Sequence, residues 1–312
     1  MGDSKATRAA YGETLVELLN EGFDIYAVEA DLSGSTTSIR LREADPLRHV
    51  NVGIAEQNMI GVAAGLAITG KTVFTGSFAV FGTGRVYDQI RNTVCYANLS
   101  VKIAPTHAGI SVGPDGGSHQ MIEDLALMSV LPNMRVLVPA DYLSAKAAIR
   151  IAAQTPGPFY IRMGRVSIPP LYESAEGFEL GKARVLRLGD DVTIIACGIE
   201  VSIALDAADM LAALGIQAEV IDAFSIKPLD EKRIVESIRK TGFAVTAEEH
   251  SVIGGLGSAV ASLMGQTPGL LRKPLVFTGV KDRFGTSGEF DELFKEYGLD
   301  AQSIYDNVIQ YF

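Results

Sequence analysis

The chain has 312 residues, room for two domains of ordinary size, and 47% hydrophobic against 21% charged residues indicates a substantial buried core. A net charge of −10 argues against a nucleic-acid or anionic-membrane surface, and two widely separated cysteines, Cys95 and Cys197, make neither a disulfide framework nor a zinc site. No signal-peptide core or membrane-length apolar run is evident, so the expected location is cytoplasmic.

Strand-like and helix-like patterns then alternate along the chain, which predicts an α/β protein with mainly parallel sheets flanked by helices. A helix over 7–19 leads into a strand near 24–30. The run 49–54 reads as a strand and gives way at Glu56 to an apolar helix over 57–68. Further strands are expected at 72–78, 101–105, 135–138 and 159–162, with helices at 84–95, 121–128 and 142–153. The stretch 167–181 contains Pro169 and Pro170 and patterns poorly, as a connection does. Strands at 192–196, 218–222, 243–246 and 275–278 belong to a second α/β unit. The organisation expected is two three-layer domains, 1–170 and 187–312, joined by a linker at 171–186.

Gly254-Gly255-Leu256-Gly257-Ser258 lacks the full spacing of a dinucleotide cradle and comes late in its domain, so tight helix–strand packing explains those glycines better. Glu248, Glu249 and His250 are polar enough for function, but a domain interface accounts for them more simply.

Chemistry concentrates in the first half. Glu56 stands at the mouth of an apolar helix, where an acid is either an ordinary helix-start residue or a group set against a ligand. Phe78 and Phe81 follow a strand's carboxyl end among glycines, and two phenyl rings with a carboxylate suit a planar heteroaromatic base. The loop from Thr106 to Gln120 carries His107, Asp115, His119 and four glycines. Loops at the carboxyl ends of parallel strands line ligand crevices, so this one suits polar substrate recognition. The His–Asp–His spacing matches no standard metal cage, and no metal ligand is assigned.

The order of these pieces resembles the thiamine-diphosphate family of transketolases, specifically its pyrimidine-binding and carboxyl-terminal domains, over essentially the whole chain. Gly53-Ile54-Ala55-Glu56-Gln57-Asn58-Met59 is similar to the segment with the cofactor-activating Glu, and Ser77-Phe78-Ala79-Val80-Phe81 to the aromatic segment beside the aminopyrimidine. Thr106-His107, Asp115-Gly116 and Ser118-His119-Gln120 resemble the substrate loop, and Tyr160-Ile161-Arg162-Met163-Gly164-Arg165 a strand end bringing an Arg to a phosphate. Ala6-Thr7-Arg8 and Ala30-Asp31-Leu32-Ser33-Gly34-Ser35 resemble two further family segments.

The resemblance implies that Glu56 would hydrogen-bond a pyrimidine nitrogen of thiamine diphosphate and favour its imino tautomer. Ile54, Phe78 and Phe81 would complete the cofactor contacts. His107 and Asp115 would bind sugar hydroxyls, and His119 the carbonyl or hydroxyls near the reacting carbons. Arg8, Ser35 and Arg165 would hold a terminal phosphate, with Arg162 an alternative to Arg165 and an outward-facing arginine the bland reading of either. The reaction implied is transfer of a two-carbon ketol unit from a ketose phosphate to an aldose phosphate.

The family holds the diphosphate through a divalent cation, Mg2+ or Ca2+, near a Gly-Asp-Gly sequence that this chain lacks. The resemblance therefore implies a carboxyl-terminal subunit of a split enzyme, inactive alone, that pairs with an amino-terminal subunit as two copies of each. A third aromatic of the family falls on Gly84 by simple counting, leaving Tyr87 or the partner to fill that place. Deoxyxylulose-phosphate synthases and the small subunit of 2-oxo-acid decarboxylases share the Glu56-Gln57 pair and stand as alternatives, beside a non-catalytic module that kept the fold.

Overall fold

The computed structural model describes residues 3–312 as two α/β units with mainly parallel sheets. The first unit contributes strands β1 (Lys5–Ala6), β2 (Ile25–Glu29), β3 (His49–Asn51), β4 (Thr72–Gly76), β5 (Val101–Ile103), β6 (Arg135–Leu137), β7 (Phe159–Ile161) and β8 (Ser167–Ile168). The second contributes β9 (Arg184–Arg187), β10 (Val192–Ala196), β11 (Ala218–Asp222), β12 (Ser225–Lys227), β13 (Ala244–Ser251) and β14 (Val276–Val280).

The larger sheet has the order β12-β6-β7-β5-β4-β2-β3, parallel throughout except for β12. The smaller has the order β14-β13-β10-β11-β9, with only β9 antiparallel. Helices cover both faces of such sheets, so central strands are apolar without alternation. β10, Val192-Thr193-Ile194-Ile195-Ala196, is buried at every position. Helix Tyr142–Gln154 shows the complementary pattern: Asp141 and Ser144 close its start in a reciprocal cap, and Ala145, Ala148, Ile149 and Ala152 face the core. On its other side Lys146 and Arg150 pair with Glu17 of helix Thr7–Asn20 at 2.5 and 2.6 Å.

Several expected elements shift for identifiable reasons. The strand expected over 72–78 ends at Gly76, where the Glu29 carboxylate fills the space beside the backbone and a Cβ would lie 1.8 Å from Oε1. Phe78 continues only as an isolated parallel bridge to Thr106. The helix expected over 84–95 is broken into π-helical turns at Val80–Gly84 and Ile90–Cys95 around a short helical turn, Tyr87–Gln89. The helix expected from 121 begins at Asp124, because Met121 bridges Gly109.

The two units also interlock. β12 follows β11 of the second unit yet pairs with β6 at the edge of the first sheet. β9 binds the last residues of the expected linker, 171–186, into the second sheet, and β8 pairs with β1. Residues 184–186 of the expected linker thus begin a strand, and the second unit supplies one edge strand of the first sheet. Both cysteines are free and buried.

Candidate functional site

The carboxyl ends of the parallel strands β2, β3, β4, β5 and β7 lie along one edge of the sheet, the edge where parallel α/β sheets gather their ligand loops. Glu56 is the first residue of helix Glu56–Ile68, which carries no side-chain cap, and its carboxylate is only 4% exposed. Its sole hydrogen-bond partner among the described residues is Arg85, whose Nη1 donates to Oε2 at 2.9 Å. The same guanidinium lies 4.4 Å from the centre of the Phe81 ring. A buried acid therefore shares one planar cation with an aromatic face.

Phe81 and Phe78 lie 6.4 Å apart at 16°, nearly parallel, and Phe78 stacks on His107 at 3.9 Å. His119 meets the Phe81 ring edge-on at 5.5 Å. Arg85 thus links Glu56 to Phe81, and ring-to-ring neighbours continue from Phe81 to Phe78, His107 and His119. Ile54, by contrast, is 79% exposed and belongs to no hydrophobic cluster of the described residues. Tyr87, a candidate for the third aromatic, packs against the core instead.

His107 is held in a left-handed conformation, φ 61°, which a non-glycine residue adopts at a cost. Its Nδ1 is 2.7 Å from the Thr106 hydroxyl. Burial, reinforced by the positive charges of Arg8 and Arg165, pushes the imidazole down to about 3. A neutral imidazole flanked by two arginines can serve as a hydrogen-bonding group at neutral pH, but not as a cation.

Arg8 Nη1 donates to the Ser35 carbonyl at 2.9 Å, and burial with the neighbouring Arg165 lowers its own pKa. Arg165 donates to the Val112 carbonyl at 2.7 Å and lies 3.9 Å from Asp115, with both side chains substantially exposed. Arg162 is different. It is buried and donates to Asp124 at 2.7 and 3.2 Å and to the Glu249 carbonyl at 2.8 Å. Of the two arginines, Arg165 is the accessible one.

Most glycines of the substrate-loop candidate serve packing between units rather than ligand approach. A Cβ at Gly109 would stand 2.2 Å from the Glu249 carboxyl carbon, and one at Gly117 would stand 2.4 Å from the Gly285 carbonyl oxygen. Gln120 ties the same loop down, donating to Ile110, Gly113 and Thr286 carbonyls. Glu249 accepts from the Ser111 amide at 2.5 Å, and the His250 ring accepts from the Leu125 amide, so these two residues do lie between the units. Glu248 instead accepts from Leu256 and Gly257 amides, filling the glycine loop with its own carboxylate.

Besides Arg85, two residues of this region escaped the sequence reading. Asn51 accepts from the amides of Asp31 (3.1 Å) and Gly53 (2.9 Å), clamping the loops that lead to Ser35 and Glu56. Thr37 donates to the Arg8 carbonyl at 2.8 Å, and its hydroxyl also accepts from Gly12. Each spans 20 or more residues, except the local Asn51–Gly53 bond, so no short motif advertises them.

Residues 3–170 match the model "Transketolase, pyrimidine binding domain", and residues 181–304 match "Transketolase, C-terminal domain". A solved structure described as "Split gene transketolase, inactive beta4 tetramer" is 49% identical, with a TM-score of 0.88 covering 99% of this chain and 98% of that one. A 6-deoxy-6-sulfo-D-fructose transketolase subunit from Clostridium sp. is 43% identical, over 95% of this chain and 91% of that protein. Human transketolase is 38% identical over 97% of this chain, which spans 48% of that protein's length.

Proposed function

Because the chain belongs to the transketolase family, we propose that it is the carboxyl-terminal subunit of a two-chain transketolase dependent on thiamine diphosphate. The subunit would take part in moving a two-carbon ketol unit from a ketose phosphate to an aldose phosphate.

One observation carries the cofactor reading. The buried Glu56 carboxylate and the Phe81 ring already share a flat cation, the Arg85 guanidinium. A carboxylate beside an aromatic face fits an aminopyrimidine, whose ring stacks while a nitrogen bonds the acid. Bound there, thiamine diphosphate would supply the nucleophilic carbon for ketose cleavage. Glu56 would hold a proton at the pyrimidine nitrogen, and Phe78 and Phe81 would fix the ring plane. Ile54, exposed in the chain alone, would complete that pocket with the partner's help.

His107, Asp115 and His119 would bind sugar hydroxyls and the carbonyl, His107 as a neutral imidazole. Arg8 and Arg165, with Ser35 shaping the loop that Arg8 grips, would hold the terminal anion. The sulfo-sugar named for the Clostridium relative also carries an acidic end, in keeping with two arginines at that position.

The diphosphate and its divalent cation, Mg2+ or Ca2+, are assigned to an amino-terminal partner, since the chain contains no Gly-Asp-Gly. Two copies of each subunit would form the assembly. The solved relative is named as an inactive β4 tetramer, which supports a chain that assembles but does not turn over alone. No helix among the described residues is long and apolar enough to cross a membrane, and we place the enzyme in the cytoplasm.

Co-expression with an amino-terminal transketolase subunit, thiamine diphosphate and Mg2+ tests this reading. Ketol transfer should arise from the two chains together and from neither alone. Carbon dioxide release from pyruvate without ketose cleavage would assign the chain to a synthase or decarboxylase, and turnover by this chain alone would end the split-subunit reading.

A further inference from the structure

Glu56 and Phe81 are the two groups that a bound pyrimidine ring would have to meet at once, and Arg85 meets both. Its Nη1 is 2.9 Å from Glu56 Oε2 while its guanidinium carbon stands 4.4 Å from the Phe81 centroid. A flat group that bonds this oxygen and lies on this ring must occupy the volume that the guanidinium now fills. We propose that Arg85 is an internal latch on the cofactor-ring site, which the pyrimidine displaces from Glu56 as it binds. The inference rests on the thiamine reading given above.

The latch is built to release. The Arg85 side chain is 48% exposed, and the ion pair to Glu56 is its only side-chain hydrogen bond or salt bridge among the described residues. Arg162 supplies the contrast within the same chain: buried, and bonded to a carboxylate and to backbone carbonyls. Arg85 also follows the π-helical turn Val80–Gly84, and Gly84 has open space around it, a Met121 methyl at 3.8 Å being the nearest atom to a Cβ built there. π-helical turns interrupt regular helix and recur where a side chain must be re-aimed.

The energetics favour exchange over simple opening. A half-exposed arginine returns to water at little cost, but an acid left buried without a partner is expensive. The latch therefore stays shut in the free chain and opens to a ligand that replaces its bond to Glu56. The chain tolerates the absence of its cofactor, at the expense of some cofactor affinity.

Two measurements test this on the full chain and on the two-subunit complex. In urea unfolding of the chain alone, Arg85→Ala and Glu56→Gln should be coupled, the double variant losing less than the sum of the singles. In calorimetric titration of the complex with thiamine diphosphate and Mg2+, Arg85→Ala should lower the Kd by about three- to tenfold. Arg85→Gln, which keeps an aliphatic stem near Phe81, should tighten binding in the same direction. A wild-type complex that binds cofactor and variants that bind it no better, or more weakly, would overturn the latch alone. A wild-type complex that takes up no thiamine diphosphate would remove the thiamine reading itself, and the latch with it, even if the unfolding cycle shows coupling.

Discussion

Arg162 and Asp124 form a two-pronged ion pair in the seam between the units, with Nε 2.7 Å and Nη2 at 3.2 Å from the two carboxylate oxygens. Asp124 is fully buried, and the Tyr160 hydroxyl donates to the same carboxylate at 2.5 Å. Three residues upstream of Arg165, an identical side chain has become part of the scaffold.

This contrast predicts opposite outcomes for the two arginines. Arg162→Met should cost about 3–5 kcal/mol in urea unfolding, because it strands the buried Asp124 charge. Adding Asp124→Asn should recover part of that loss. Arg165→Ala should change stability by less than about 1 kcal/mol, since its side chain and its Asp115 partner are both exposed. Its effect should appear as a raised KM for phosphorylated sugar in the reconstituted enzyme. A stable Arg162→Met, or an Arg165→Ala with unchanged KM, would reverse the assignment.

His107 should make stability depend on pH. Unfolded, a histidine takes up its proton near pH 6.5; here burial and the two arginines hold the folded value at about 3. Between these values the unfolded chain binds the proton and the folded chain does not. The contribution of the neutral imidazole is thus full above pH 6.5 and declines as pH falls toward 3, by at most about 1.4 kcal/mol per unit. His107→Asn keeps a residue that tolerates the left-handed backbone and removes the titration. From pH 6.5 to 5, wild type should lose stability faster than this variant in urea unfolding; parallel curves would show that His107 is not so depressed.

How far the sequence could be read follows the range of the interactions. Apolar strands such as 192–196 and the cap-led helix after Asp141 are written in neighbouring residues, and they were legible. Glu56 was legible because a helix start is a local feature. Arg85 was not: its role depends on π-helical turns that swing it 29 positions back toward Glu56, past the Gly84 and Tyr87 that counting suggested. The packing of the loop glycines was not legible either: Gly109 and Gly117 make room for Glu249 and Gly285 of the other unit. Strand β12 joined the first sheet for the same reason, a pairing over some 90 residues that no periodicity encodes.

Asn51 offers a test of loop positioning. One side chain holds Asp31 in a left-handed conformation, φ 61°, and braces Gly53 on the approach to Glu56. Asn51→Ala should cost about 1 kcal/mol of stability, as lost exposed hydrogen bonds do. The kcat/KM of the reconstituted enzyme should fall by a larger factor than that small loss of stability would produce. Equal turnover would show that these loops keep their places without it.

Gly117→Ala separates a packing loop from a ligand-facing one. The new Cβ would stand 2.4 Å from the Gly285 carbonyl oxygen and 3.1 Å from its carbon, both main-chain atoms that cannot rotate aside. The clash should push the His119 loop off the second unit, with a loss of about 1–3 kcal/mol typical of overpacking. Gly61→Ala is the control: it lies on an exposed helix face with nothing within 4 Å, where alanine should stabilise the isolated chain slightly. If Gly117→Ala leaves urea unfolding unchanged while weakening sugar binding in the complex, the loop's glycine faces substrate after all. A stability loss with the Gly61 variant unharmed fixes it as the contact that sets the His119 loop against its neighbouring unit.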